Sequence, residues 1–339
     1  MLRLSVGYQY SERYSFASIV EQYKESIEEV YFPWVDTASG RSMIGGYDGY
    51  FDYGLQGVLV EELTKIKNLG IKLDLLFNAN CYGENAMSEV LRGKVYSIID
   101  FLKANNIAPE VVTTTSPAIA YIIKEQYPEI ELKASVNMKI ASVKGMQYVS
   151  HLFDSYCLAK ECNRNIELLK ELRAWSDENN KKITMLANSG CMRDCSGQIF
   201  HDNMVAHEAE ISGRKNFDFM PYMCWNHLKD KKNFVSVLQN TWIRPEDIHN
   251  YEGLVDTVKL ATRSHQLPGM VIGAYARERY YGNLLDLFEP GFSPAFLPHV
   301  IDSSKIPNDF WEKTTKCNKD CTKCGYCHGV LAQALVNDA

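Results

Sequence analysis

The stretch Lys72-Leu-Asp-Leu-Leu-Phe-Asn78 is followed by a helical pattern over 87–105 and then by Glu110-Val-Val-Thr-Thr114. A short apolar run, a longer amphipathic run and a second short apolar run make one βαβ unit, because strands and helices space their buried residues differently. The unit repeats in both directions. Towards the N-terminus, 2–8 and 29–33 read as strands, and 16–26 and 55–69 as helices. Towards the C-terminus, strands at 130–136, 154–158, 183–187 and 255–260 alternate with helices that begin at Pro117, Val143, Asn165 and Pro268. Eight strands, nearly all separated by helices, predict an α/β fold of the (β/α)8 TIM-like barrel type rather than a six-stranded open sheet.

Two departures from the even repeat carry information. About 65 residues, 188–254, separate the seventh strand from the eighth, where a plain βα connection needs far fewer. A loop after a barrel strand lies on the catalytic face, so this insertion belongs over the barrel mouth. The second departure starts at the turn-rich Phe288-Glu-Pro-Gly-Phe-Ser-Pro294. The expected organisation is a barrel over 1–287 with a cluster-binding insertion at 188–254, and a cysteine-rich, ferredoxin-like extension over 288–339.

Composition bounds the function. The 339 residues are 46% hydrophobic and 23% charged with a net charge of -6, as in a globular protein of one large domain or two smaller ones. The acidic balance argues against a general nucleic-acid surface. The N-terminal MLRLSVGYQYSERY lacks the apolar core of a secretory signal, and no apolar run approaches the length of a membrane span. The expectation is a cytoplasmic protein without a membrane partner, in which ten cysteines are not a disulfide framework.

Those cysteines fall into groups. Cys317, Cys321, Cys324 and Cys327 form a C-x3-C-x2-C-x2-C run. Thiolates this dense need a cation to offset their repulsion, and a single tight run favours a 4Fe-4S cluster over structural zinc, whose ligands usually come as two separated pairs. Its first three members match the radical-SAM triad, but that motif belongs after the first strand and not in a tail. A second group, Cys191 and Cys195 with Cys224 farther on, comes after the seventh strand and projects over the mouth. Cys81, after the third strand, and Cys162, after the sixth, compete as a fourth ligand, unless one iron stays open for substrate. Cys157 falls mid-strand.

Other polar residues have weaker signals. His201 and His207 are candidate acid-base groups at the mouth. Lys259 and Arg263, around the end of the eighth strand, are candidates to bind a carboxylate or phosphate. Trp242-Ile-Arg-Pro-Glu-Asp247 reads equally as a structural turn. For a hydrolase, the sequence offers no G-x-S-x-G, no zincin spacing and no cysteine with an evident histidine partner.

Leu186-Ala-Asn-Ser-Gly-Cys-x3-Cys-x5-His201, Ile243-Arg-Pro-Glu-Asp247 and Val258-Lys-Leu-Ala-Thr-Arg263 together resemble the collagenase-like peptidase family, the unassigned peptidase family 32. Relatives in its iron-sulfur branch include oxygen-independent ubiquinone hydroxylation partners and prephenate-dependent tRNA and rRNA hydroxylation proteins. The resemblance implies a 4Fe-4S cluster at the mouth, with Cys191 and Cys195 as its first ligands and Cys224 as a later one. The chain departs from the pattern in lacking a further C-x3-C pair in the insertion, and its tail run is not typical of the family. The expected function is that of an iron-sulfur redox enzyme carrying out an oxygen-independent hydroxylation or a related oxidation on a small molecule, peptide or RNA. A second cluster in the tail would take electrons from a donor such as a ferredoxin or flavodoxin, and the chain would be free to form hetero- or homo-oligomers. The alternatives are a hydrolase or peptidase, as the family label implies, and a non-catalytic electron-transfer or maturation partner.

Overall fold

The computed structural model describes residues 2–41, 43–45 and 51–337. Eight parallel strands close into a barrel in sequence order. They are β1 (Arg3–Gly7), β2 (Ile27–Pro33), β3 (Lys72–Phe77), β4 (Val111–Thr114), β5 (Glu131–Ala134), β6 (Ser155–Cys157), β7 (Lys182–Leu186) and β8 (Thr257–Leu260), with β1 paired to β8 to complete the ring. Each expected strand is present, and the fold is a (β/α)8 barrel.

Six helices alternate with the first seven strands: α1 (Phe16–Gln22), α2 (Tyr53–Asn68), α3 (Glu89–Ala104), α4 (Pro117–Gln126), α5 (Val143–Val149) and α6 (Ile166–Glu178). Ser15, Asp52, Ser88, Ser116, Ser142 and Asn165 stand just before them, and each side chain accepts a backbone N–H of the first turn. These caps satisfy amides that the helix itself leaves unpaired. They also fix where the loops after β1 to β6 end.

Charge fills part of the barrel interior. Lys133 on β5 is hydrogen-bonded to Glu29 on β2 and lies 3.4 Å from Asp74 Oδ2 on β3. Ser5 Oγ donates to Glu29 at 2.7 Å and Thr113 Oγ1 to Asp74 at 2.7 Å. Burial opposes the charge on Lys133, yet Glu29 and Asp74 hold its pKa above the ordinary lysine range. Burial likewise works against ionised Glu29, and Lys133 more than offsets it, whereas Asp74 stays raised by its burial.

Past β7 the chain forms α7 (Gln198–Ala206), α8 (Glu208–Ser212) and α9 (Met223–His227), then two 3-10 segments, Lys231–Val237 and Pro245–Tyr251. After β8 come α10 (Pro268–Ala276), α11 (Ser293–Phe296), β9 (His299–Ile301), α12 (Phe310–Thr315), α13 (Tyr326–Ala334) and β10 (Leu335–Asn337), with β9 and β10 antiparallel. Met192, Phe234 and Trp242 from the insertion share a second hydrophobic core with Phe288, Phe310 and Val330 from the C-terminal segment. Phe234 stacks on Phe296 at 3.8 Å and Trp242 on Phe310 at 5.5 Å. Burying each ring contributes roughly 1.5–3 kcal/mol, so the cysteine-rich extension is held against the insertion. No helix among the described residues is long and apolar enough to cross a membrane.

Candidate active site

The segment after β7 organises the mouth. Asn188 is fully buried; its Nδ2 donates to the carbonyls of Ala261 and Leu287 at 3.0 and 2.9 Å, and its Oδ1 accepts the Ala261 amide at 2.6 Å. The backbone of 188–190 pairs with Glu289, through Glu289 N to Asn188 O at 3.2 Å and Gly190 N to Glu289 O at 2.9 Å. Gly190 is required here, because a Cβ would lie 2.1 Å from the carbonyl oxygen of Pro290. Gly7 at the end of β1 is equally confined, with Arg263 and Tyr31 each 2.6 Å from a Cβ position. The Trp242–Asp247 stretch is the structural turn: Arg244 makes a bidentate bond to Asp247 at 2.7 and 2.9 Å.

A cavity of about 520 Å³ opens beside this frame, lined among others by Arg41, Cys191, His201, Cys224 and Glu289. Arg41 Nε bonds Glu289 at 3.0 Å, and Glu289 also accepts the Ser264 amide at 3.1 Å. His201, on α7, packs its ring edge-on against Tyr222 at 5.1 Å. Burial, with Arg41 second, holds its pKa below the usual histidine value. Asp202 beside it is pushed up by burial, and among the described residues its Oδ2 has no hydrogen-bond partner.

Cys224 lies within electrostatic reach of both Cys191 and Cys195, so the structure brings together the three insertion cysteines. The buried Lys160 clamps their loop by donating to the carbonyls of Cys191 and Met192 at 3.1 and 2.9 Å. Cys162 and Cys157 are buried, and burial raises both thiols. Among the described residues no three His, Cys, Asp or Glu side chains converge on one ion position. Cys191 and Cys195 on the clamped loop, with Cys224 on α9, are the thiols that would hold a 4Fe-4S cluster, which would supply an electron-accepting or ligand-binding iron there.

Cys81 has a different partner. It lies in the loop after β3, and its thiol interacts with His207, the residue at the junction of α7 and α8, on the wall of one cavity. His207 Nδ1 in turn lies 3.1 Å from Glu210 Oε2, one turn further on. The Gly83 amide donates to Cys81 Sγ at 3.4 Å. The His207 bond and then the Gly83 amide draw the Cys81 pKa below the usual thiol value, while Cys81 and Glu210 raise that of His207. Together they favour a thiolate and an imidazolium. A second cavity, about 650 Å³, is lined by Cys81, His207 and Glu210 with Asn85, Lys94 and Phe77. The sequence offered no histidine partner for any cysteine; the insertion folds back over the mouth and provides one.

Lys259, expected near the rim, is buried inside the barrel, its ammonium 3.7 Å from the Tyr31 ring centroid, and burial lowers its pKa. Arg263 stays at the mouth, where Nη1 donates to Ser39 Oγ at 3.0 Å. In the tail, Cys327 lies within electrostatic reach of Cys317, Cys321 and Cys324.

No family model matches this chain. The uncharacterized protease MJ1657 of Methanocaldococcus jannaschii is 26% identical over 283 residues, which make up 82% of this chain and 81% of that protein. The solved structure of the U32 peptidase Mk0906 superposes with a TM-score of 0.55 at 15% identity, over 76% of this chain and 92% of that one. The structural likeness is one of fold.

Proposed function

We propose that this chain is a thiol-dependent hydrolase of amide or ester bonds, with Cys81 as nucleophile, His207 as acid and base, and Glu210 orienting the imidazole. The observation that carries this reading is the Cys81–His207–Glu210 relay on the wall of the 650 Å³ cavity. A nucleophile bonded to a base that a third group orients is the arrangement that covalent hydrolysis needs. The peptidase names of the two similar proteins support the same class.

In the first step the Cys81 thiolate attacks the substrate carbonyl carbon, and the imidazolium of His207 gives its proton to the departing amine or alcohol. A thioester remains on Cys81. Neutral His207 then takes a proton from water, whose oxygen attacks the thioester carbonyl. The carboxylic acid leaves, and thiolate and imidazolium are restored. The test is acylation by an activated ester, followed by intact mass, together with turnover of a mixed peptide set. Wild-type protein should carry one acyl group on Cys81, and Cys81→Ala should lose about 100-fold or more in turnover, as positioned acid-base and nucleophilic groups do. Full turnover in Cys81→Ala would sink the proposal.

A second reading rests on the gathering of Cys191, Cys195 and Cys224 beside the other cavity. In it, a mouth cluster serves the oxygen-independent hydroxylation or related oxidation that the iron-sulfur relatives suggest. Iron-dependent spectral change on adding a small iron ligand, lost in Cys191→Ser, would favour this reading; an unchanged spectrum would remove it.

A further inference from the structure

The tail cysteines sit on a cationic seat. Arg164, just after β6, is buried, and its guanidinium is sandwiched near Trp242 and Phe310 at 4.9 and 5.2 Å. It donates to the carbonyls of Leu238 and Trp242, with no carboxylate hydrogen-bonded to it among the described residues. A buried cation hydrogen-bonded only to carbonyls is costly unless anions lie near, and Arg164 has Tyr251, Cys327 and the Asp247 carboxylate within electrostatic reach. Of these groups, Cys327 belongs to the tail run. On the other side, Arg193, between Cys191 and Cys195, donates from Nη2 to Cys321 Sγ at 3.6 Å. A left-handed turn at Lys319, φ 64°, accompanies a bond from its own amide to Cys317 Sγ at 3.2 Å. Two arginines and a backbone amide thus face sulfur atoms of one eleven-residue run.

We infer that Cys317, Cys321, Cys324 and Cys327 hold a 4Fe-4S cluster seated on the insertion, with Arg164 and Arg193 as the cations that balance its charge. Four thiolates around an iron-sulfur core carry net negative charge, and hydrogen bonds and cations at the sulfurs tune such a centre. The donor set fits by type and spacing: four thiols fall within one eleven-residue run, and Cys327 is within electrostatic reach of the other three. Zinc would need all four sulfurs about 2.3 Å from a single point. The site is distinct from Cys81 and stands whether or not Cys81 is a nucleophile.

The experiment uses the full chain, purified without oxygen, with iron, sulfide and zinc counted and EPR recorded after reduction. In a Cys191→Ser, Cys195→Ser, Cys224→Ser background, which removes the other thiol group, about four irons per chain should remain. Adding Cys321→Ser and Cys324→Ser should remove them while circular dichroism is unchanged. In the otherwise native chain, Cys324→Ala alone should lower the count by about four irons, so the result does not depend on the multiple variant folding. Arg193→Gln should keep the iron and move the reduction potential to a more negative value, because a cation that favoured the added electron is gone. Zinc in place of iron, disulfides among the four cysteines, or an iron count untouched by Cys324→Ala would each overturn the inference.

Discussion

Lys133 reaches across the barrel axis from β5 to the carboxylate of Glu29 on β2, and the same ammonium lies 3.4 Å from Asp74. One cation holds two buried anions. Replacing it breaks the direct pairing of both carboxylates and leaves Lys259 as the remaining cation within electrostatic reach, and breaking a buried pair costs about 3–5 kcal/mol. Lys133→Met should lower the urea midpoint accordingly, and adding Glu29→Gln and Asp74→Asn should recover part of the loss, as coupled residues do not add. Unchanged unfolding in Lys133→Met would show that the network is not the tie between these strands.

The Cys81 pair predicts a pH signature. Since His207 and the Gly83 amide lower the thiol pKa, alkylation of Cys81 by iodoacetamide should reach half its maximum below the ordinary thiol value of about 8.5. Reactivity is lost as pH falls through that lowered midpoint, because the thiolate is the nucleophile. His207→Ala should move the midpoint upward, and Glu210→Gln should move it less, since its carboxylate is largely exposed. A midpoint that His207→Ala leaves in place would separate the histidine from the thiol.

Two glycines give opposite outcomes. Gly190→Ala drives a methyl against the Pro290 carbonyl, which is backbone and cannot swing aside, so a loss of about 3 kcal/mol is expected, the upper end of overpacking. Gly93 lies exposed inside α3 with open space around its Cβ position. Gly93→Ala should stabilise the chain by about 0.5–1 kcal/mol through helix propensity. Thermal unfolding of both variants checks the pair.

Asn188 makes three buried hydrogen bonds that join the ends of β7 and β8 to Leu287. Asn188→Ala strands their partners and should cost on the order of 3 kcal/mol. Hydrogen exchange at the Ala261 amide should accelerate more than exchange within β4. Equal protection in both proteins would mean that the frame closes without this side chain.

The strands were legible because each is a short apolar run, and those from β1 to β6 are each followed by a helix with a Ser, Asp or Asn cap. The interior charges were not: in Glu131-Leu-Lys-Ala134 a lysine looks like an outward position, and only closure of the ring brings it to Glu29. Lys259 misled for the same reason, reading as a rim residue although its side chain turns inward over Tyr31. Cys81 and His207 lie on either side of four strands, and no local spacing records that the insertion returns to the β3 loop. The tail run was plain from spacing alone, whereas its seat needed Arg164 and Arg193, which share no motif with it.

The second core is finished by Val330 and Ala334, close to the last described residues. Domains fold largely from the N-terminus during synthesis, so the barrel strands emerge and pair while Trp242 and Phe288 still await their final neighbours. The insertion cysteines therefore remain on an unsealed surface until Phe310 and α13 have formed. This leaves an interval in which Cys191, Cys195 and Cys224 are open to solvent and to its oxidants before Phe310 and α13 close over the insertion.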